Sequence, residues 1–404
     1  MTEAGSKAPK MTKTRDVGMR GPMEFEARKC RANGSDTLFV LAAGLAVAAS
    51  LMIQPSAIGQ IEMPATRDSA QIGKLDLTGY PYFFYSPETE FALGGAMIFT
   101  MHLSPDPEVK ASNAILSGYY SVLGSYDIFF NPEFYLDKDQ YYISISADYY
   151  RFVDKFWGIG NDTPELDSAG YIRKIVWINT EFDVKVAGPL KIGLNYDFNS
   201  TKIEDKQSNP FLLSGSVTGS DGGVSSGIGG VLFADTRNSA FWPTKGGSYK
   251  LTFLTAVDWL GSTFSFRRWI LDLRHYVGIT PSMVLAIQMY GSAVTGDPPF
   301  YLIPALGGDN IMRGYYEGRY RDKFYLAAQG ELRLRLTRRW GLVGWAGIGD
   351  VSGNFSSFKL KDGKPSFGIG IRFALDPEQM VNVRADFARG RDTKGVYFNA
   401  KEAF

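Results

Sequence analysis

Along most of the chain, apolar residues recur at every second position. Phe367, Ile369, Ile371, Phe373 and Leu375 are interleaved with Gly368, Gly370, Arg372 and Ala374. Val381, Val383, Ala385 and Phe387 alternate with Asn382, Arg384, Asp386 and Ala388. Phe324, Leu326, Ala328, Leu332, Leu334 and Leu336 alternate with Tyr325, Gln329, Glu331, Arg333 and Arg335. A period of two sends successive side chains to opposite faces, which is the signature of a strand. These runs exceed the five or six residues usual in water-soluble sheets, and they suit the roughly 9–11 residues with which a tilted strand crosses a bilayer.

Such segments lie at 91–103, 112–124, 126–137, 139–152, 169–186, 188–200, 223–236, 246–259, 262–278 and 281–294, then at 323–337, 340–352, 364–376, 379–390 and 394–404, with one more at 73–86. Single-chain bacterial barrels carry an even number of strands. The expectation is therefore an all-β fold, a transmembrane antiparallel β-barrel of sixteen strands over residues 75–404. Short turns such as Leu136–Asp139 alternate with long connections at 153–168, 201–222 and 295–322, the pattern of short periplasmic turns and long outer loops. Tyrosine pairs at 141–142, 149–150 and 315–316 stand near segment ends, where interfacial girdles form. A soluble sandwich or propeller would show shorter strands and no targeting segment.

The first 59 residues read differently. A polar stretch with Lys7, Lys10, Lys13, Arg15, Arg20, Arg28, Lys29 and Arg31 precedes an uncharged apolar run from Thr37 to Ile53, and Ala57 and Gly59 supply small residues before Gln60. Basic, apolar and small-residue regions in that order mark a secretory signal peptide, expected to be removed after residue 59. The competing reading, an uncleaved anchor, needs a run at the short limit for spanning. Residues 60–74 are then a short periplasmic segment, too short to bury a core.

Composition narrows the chemistry. Net charge is +1, from 43 basic and 42 acidic residues, so no excess field points to nucleic acid. One cysteine, Cys30, excludes a disulfide framework, and two histidines, His102 and His275, leave little for zinc or a Ser-His-Asp triad. Ser226-Gly227-Ile228-Gly229-Gly230 lacks the lysine and following helix of a phosphate-cradling loop. The chain reads as a non-enzyme with no cofactor and no metal.

Gly307-Gly308-Asp309-Asn310-Ile311-Met312-Arg313-Gly314-Tyr315 resembles the arginine-glycine-aromatic signature of the BamA/TamA-type outer-membrane insertase superfamily, the bacterial surface antigen proteins. So do the continuation Tyr316-Glu317-Gly318-Arg319-Tyr320-Arg321-Asp322 and the Gly330-Glu331-Leu332-Arg333 strand. Asp235-Thr236-Arg237-Asn238 with Phe241-Trp242-Pro243-Thr244-Lys245-Gly246 is similar to the family's turn between two mid-barrel strands, and Tyr85-Ser86-Pro87-Glu88-Thr89 to the start of its barrel.

The resemblance implies a sixteen-stranded barrel whose long outer loop folds back into the lumen, with Arg313, Gly314 and Tyr315 at its tip and an acidic partner on the inner wall. Alternation makes Glu331 lumen-facing. It also assigns Val343, Trp345 and Val351 to the lipid face and so puts Asp350 in the lumen as a second candidate partner. Around Asp350 the chain departs from the family pattern, with Ile348-Gly349-Asp350-Val351-Ser352 off at both flanking positions. The end of the sequence, with Phe398 and Phe404 expected on one lipid-facing strand face, resembles the terminal strand read by the assembly machinery. The family's periplasmic receptor modules have no counterpart between residues 60 and 75. The implied function is assistance in inserting or translocating proteins at the bacterial outer membrane, with outer-membrane lipids, client proteins and a separate periplasmic partner as its company. A passive loop-plugged channel and a structural anchor for a periplasmic partner are the alternatives.

Overall fold

The computed structural model describes residues 75–103, 111–166, 169–377 and 380–404. The expected signal peptide (1–59) and short periplasmic segment (60–74) lie outside the described residues. The strands are β1 (Leu75–Ser86), β2 (Glu90–Met101), β3 (Ser112–Ser121), β4 (Tyr126–Leu136), β5 (Tyr141–Lys155), β6 (Gly170–Ala187), β7 (Leu190–Asp205), β8 (Gly222–Asp235) and β9 (Lys245–Ala256). They continue as β10 (Phe266–Thr280), β11 (Met283–Gly296), β12 (Ala305–Leu306), β13 (Tyr320–Arg321), β14 (Phe324–Arg335), β15 (Trp340–Ser352), β16 (Lys364–Asp376), β17 (Val381–Gly390) and β18 (Thr393–Ala400). Sixteen of them close into one antiparallel barrel in which chain neighbours pair and β1 meets β18. The remaining two, β12 and β13, form a small ladder inside the long loop between β11 and β14. Every expected segment becomes a barrel strand.

Closure is what lets a sheet cross a bilayer, because no backbone group is left unpaired in hydrocarbon. The two faces separate as the alternation requires. On β14, Leu326, Ala328 and Leu332 are exposed on the outside while Tyr325, Gln329, Glu331 and Arg333 are buried inside. On β7, Ile192 and Leu194 point out and Lys191, Asn195, Asp197 and Asn199 point in.

The longest described connections leave from one end. Phe156, Leu212, Phe264, Phe300 and Tyr301 from the connections at 156–166, 206–221, 257–265 and 297–302 pack with Tyr171 and Phe266 at the strand ends into an apolar cap. At the other end the turn 236–244 is pinned by Arg237, which grips Asp235 through Nε (3.0 Å) and Nη2 (2.8 Å). Trp242 on that turn is buried beside Arg333. Inside, the side formed by β14–β18 is filled by loop, whereas the inward faces of β4 and β5 carry Asp127, Glu133, Asp148 and Asp154 with no inward lysine or arginine among their own described residues.

The seam is the weak element. β1 and β2 are in register over twelve residue pairs, but β1 and β18 share only one, Tyr85 with Phe398. Outside, the seam is reinforced by Phe83 and Phe398, whose rings stack at 4.8 Å and an interplanar angle of 6°. Phe398 thus lies on the lipid face, as expected. Phe404 does not. β18 ends at Ala400, and Lys401 takes a left-handed φ of 69°, which turns the chain inward. Phe404 ends up in the lumen against Tyr276, Val284 and Ala286, with Arg333 donating from Nη2 to its carbonyl oxygen at 2.6 Å. The correction has an electrostatic cause: Glu402 would be stranded on a lipid-facing strand, and inward it meets Arg372 (2.7 Å) and Asn382 (2.8 Å).

Candidate functional site in the barrel lumen

The loop between β11 and β14 runs back into the barrel as a hairpin. Its base is held by the β12–β13 ladder, by Gly318 N–H donating to Leu306 and by Asp322 N–H donating to Pro304. The tip between them needs glycine at two places. Gly307 has φ 112°, and a Cβ there would lie 2.6 Å from the Tyr316 carbonyl oxygen. Gly314 has φ 103°, and a Cβ would lie 2.9 Å from the β17 backbone at Arg389 and Gly390. The arginine-glycine pair is therefore a geometric unit: Gly314 lets the backbone lie against the wall so that Arg313 can reach across it.

Arg313 is fully buried. Its Nη1 donates to Asp386 Oδ2 at 2.6 Å, its Nη2 pairs with Glu331, and its guanidinium stacks 3.7 Å from the centre of the Trp345 ring. Glu331 also takes Arg333 (2.9 Å), and Asp386 takes Arg372 (2.6 Å) and Arg384 (3.4 Å). Arg384 reaches back to Asp309 on the loop at 3.2 Å, and Arg372 to Glu402. Four guanidiniums face four carboxylates, so the cluster is neutral as a whole, and all its side chains except half-buried Asp309 are enclosed. A planar fork is what allows one arginine to span two carboxylates, which lysine cannot do. Burial works against the charge on Arg313, but Glu331 and Asp386 outweigh it and hold its pKa above the ordinary arginine value.

The tip backbone is satisfied as well. Gly314 N–H donates to Tyr397 Oη (2.9 Å), Ser366 Oγ donates to the Arg313 carbonyl (2.6 Å), and Asn399 Nδ2 donates to Asp309 (2.7 Å). Tyr315 is buried with Leu306, Met312, Tyr325 and Val351, its hydroxyl donating to Pro365 and accepting from the Arg391 N–H. On the far side of the seam, Glu317 N–H donates to Glu88 Oε1, on the turn after β1, at 2.9 Å. The loop thus touches β18 and the first hairpin together. The pKa of Glu88 is raised by burial, partly offset by that hydrogen bond. Glu317 is pushed up to about 7 by enclosure and then by Glu88 and Asp154. Its surface borders open lumenal space, so water tempers the effect of enclosure.

The structure therefore gathers Arg313, Gly314, Tyr315 and Glu331 at one point, and puts Asp350 elsewhere. Asp350 pairs with Lys364 at 3.1 Å, not with Arg313. The alternation on β15 is the reverse of the expected one: Val343, Trp345 and Val351 are buried inside, and Leu342 and Ile348 are exposed outside. The reason is the loop, which turns this part of the lumen into a dry interior, so both faces of β15 accept apolar residues. Sequence reasoning passed over Asp386, Arg372, Arg384 and Trp345. Asp386 and Arg384 stood on the polar set of their strand, but nothing in the chain said which carboxylate lies across the lumen from the loop.

A closed sixteen-stranded barrel with an arginine-tipped loop docked inside is a distinctive arrangement, and the Omp85 superfamily domain matches residues 118–404. The chain belongs to the Omp85 superfamily. Among solved structures, this Omp85 barrel is similar to BamA from Haemophilus ducreyi lacking POTRA domains 1–3, with a TM-score of 0.58 and 12% identity over 81% of this chain and 70% of that one. It is also similar to CdiB from Acinetobacter baumannii (TM-score 0.51, 11% identity, 81% of this chain and 65% of that one). CdiB from Escherichia coli gives a TM-score of 0.53 and 12% identity over 80% of this chain and 62% of that one. At such identities the likeness is one of fold. No curated protein sequence matches the chain. Family and fold together make this a protein of the bacterial outer membrane.

Proposed function

We propose that this Omp85 barrel assists the insertion or translocation of polypeptides at the outer membrane by parting its seam. The observation that carries the reading is the single register pair between β1 and β18, beside twelve between β1 and β2. An edge with unpaired N–H and C=O groups is a template for an incoming strand. The Arg313 loop, which holds β18 through Tyr397 and Asn399 and the first hairpin through Glu88, acts as a clasp across that edge. Outer-membrane or secreted polypeptides are the clients on this reading, and a periplasmic protein that delivers them is the expected partner.

The test is a reversible cross-link. In a Cys30→Ser background, Tyr85→Cys with Phe398→Cys places two thiols at opposed positions, within disulfide reach. The oxidised barrel should fold but fail to assist assembly of a client β-barrel in proteoliposomes, and reduction should restore the activity. Equal activity in the oxidised form would overturn the reading. A passive channel is the second reading, favoured by the polar inner wall of β7 with Lys191, Asn195, Asp197 and Asn199. It predicts that oxidation leaves function intact and that the wild-type protein conducts.

A further inference from the structure

The lipid-facing surface of β5–β7 ends in a row of charge. Register places Tyr141, Val184 and Ile192 side by side at its lower margin, and Arg151, Lys174 and Lys202 side by side at the end from which the long loops emerge. All three cations share the outward parity of exposed Tyr149 and Val176. About ten residues separate the two rows along β5. At about 3.3 Å per residue and a tilt near 40°, that is roughly 25 Å of height, the thickness of the apolar band of an outer-membrane barrel. The basic row therefore sits where the hydrocarbon gives way to headgroups. Tyr126 stands level with Arg151 on the neighbouring strand and Tyr149 one outward step below it, their rings 6.0 Å apart, as in an aromatic girdle.

Like charges directly opposite one another on adjacent strands repel. Only part of that repulsion is relieved within the protein. Lys174 pairs with Glu204 at 3.0 Å, and Arg151 uses one nitrogen to hold the Gly124 carbonyl. Neither Arg151 nor Lys202 has an ion pair among the described residues. The remaining donors face the membrane surface.

We propose that Arg151, Lys174 and Lys202 bind the phosphorylated headgroup of an outer-leaflet lipid, whose acyl chains lie along the apolar rows below. A phosphate supplies several strong acceptor oxygens for the arginine fork and two ammonium groups together. The source is a lipid because the row stands directly above a surface that only acyl chains would cover.

The experiment is native mass spectrometry of the full chain, extracted in detergent, with added bisphosphorylated lipid A, the same lipid without its phosphates, or inorganic phosphate. Wild-type protein should retain the phosphorylated lipid, and R151Q/K174Q/K202Q should retain it at least tenfold less while still migrating as a folded, heat-modifiable barrel. Removing the phosphates from the lipid should reproduce the loss on wild type. If the triple variant does not fold, K202Q alone, whose side chain is exposed, should lower retention at least threefold. Equal retention by the variants, equal retention of the dephosphorylated lipid, or displacement by millimolar inorganic phosphate would each overturn the proposal.

Discussion

At the scale of a residue, Arg313 is the group whose removal should release the docked loop. Removing a partner from a buried ion pair typically costs about 3–5 kcal/mol, because the remaining charges are left uncompensated. Arg313→Ala leaves Glu331 and Asp386 sharing a dry space, so the loop should loosen. Limited proteolysis should then cut between Gly307 and Arg319, and conductance in planar bilayers should rise. Arg313→Lys should restore only part of the protection, since an ammonium satisfies one carboxylate at a time. Adding Asp386→Asn to Arg313→Ala should recover some protection, whereas adding Asp350→Asn should recover none. Much of this site was legible in the sequence. The inward parity of Glu331 follows from local pattern, and the arginine-glycine tip from the resemblance of its motif. The error at Asp350 came from treating β15 as a wall between lipid and water, when its inner face touches protein.

At the scale of an element, the loop meets the first hairpin through two carboxyls whose pKa values are raised in the docked structure, first by burial. A carboxyl with a raised pKa binds its proton more tightly in the docked state, so docking is favoured at low pH and weakens as pH rises from about 4.5 to about 7. Asp154, Asp309 and Arg173 face the same group, and only the arginine opposes the trend. Protease sensitivity of the loop should accordingly be greater at pH 8 than at pH 5, and Glu317→Gln should flatten the difference. An unchanged pH dependence in that variant would show that Glu317 does not report on docking. The segment Lys401–Phe404 is the second element to test. Its contacts run to Arg372 and Arg333, which in turn hold the two carboxylates of Arg313. Phe404→Ala should therefore weaken loop protection from a distance, with Phe398→Ala affecting the seam instead. Periodicity alone extended β18 to Phe404. The turn at Lys401 depends on partners on other strands, Asn382, Arg372 and Arg333, which no local pattern records.

At the scale of the whole molecule, the barrel was legible because a bilayer imposes length and period on every strand at once. Sixteen segments could be counted without knowing a single contact. The seam could not be read, since it concerns how few residues pair where the first and last strands meet. Unfolding should begin there. Oxidising the Tyr85→Cys/Phe398→Cys pair should raise the temperature at which the compact gel band converts to the unfolded one, whereas a cross-link between Phe83 and Leu93, within a fully paired ladder, should leave it unchanged.

The loop lies against β14–β18 and reaches Asp154 through Tyr316, and it leaves the wall of β4 and the lower part of β5 lined by Asp127, Glu133 and Asp148. Any ion that leaks past the docked loop must travel beside those three carboxylates, while Arg173 on the next strand is tied to Asp154. The residual current of the wild-type protein should hence prefer potassium over chloride, visible as a shifted reversal potential in a salt gradient. Releasing the loop by Arg313→Ala opens a path along the opposite wall, where Arg333, Arg372 and Arg384 are matched by Glu331, Asp386 and Glu402, and the preference should shrink. Selectivity would then report, in a single electrical measurement, on which half of the pore is in use.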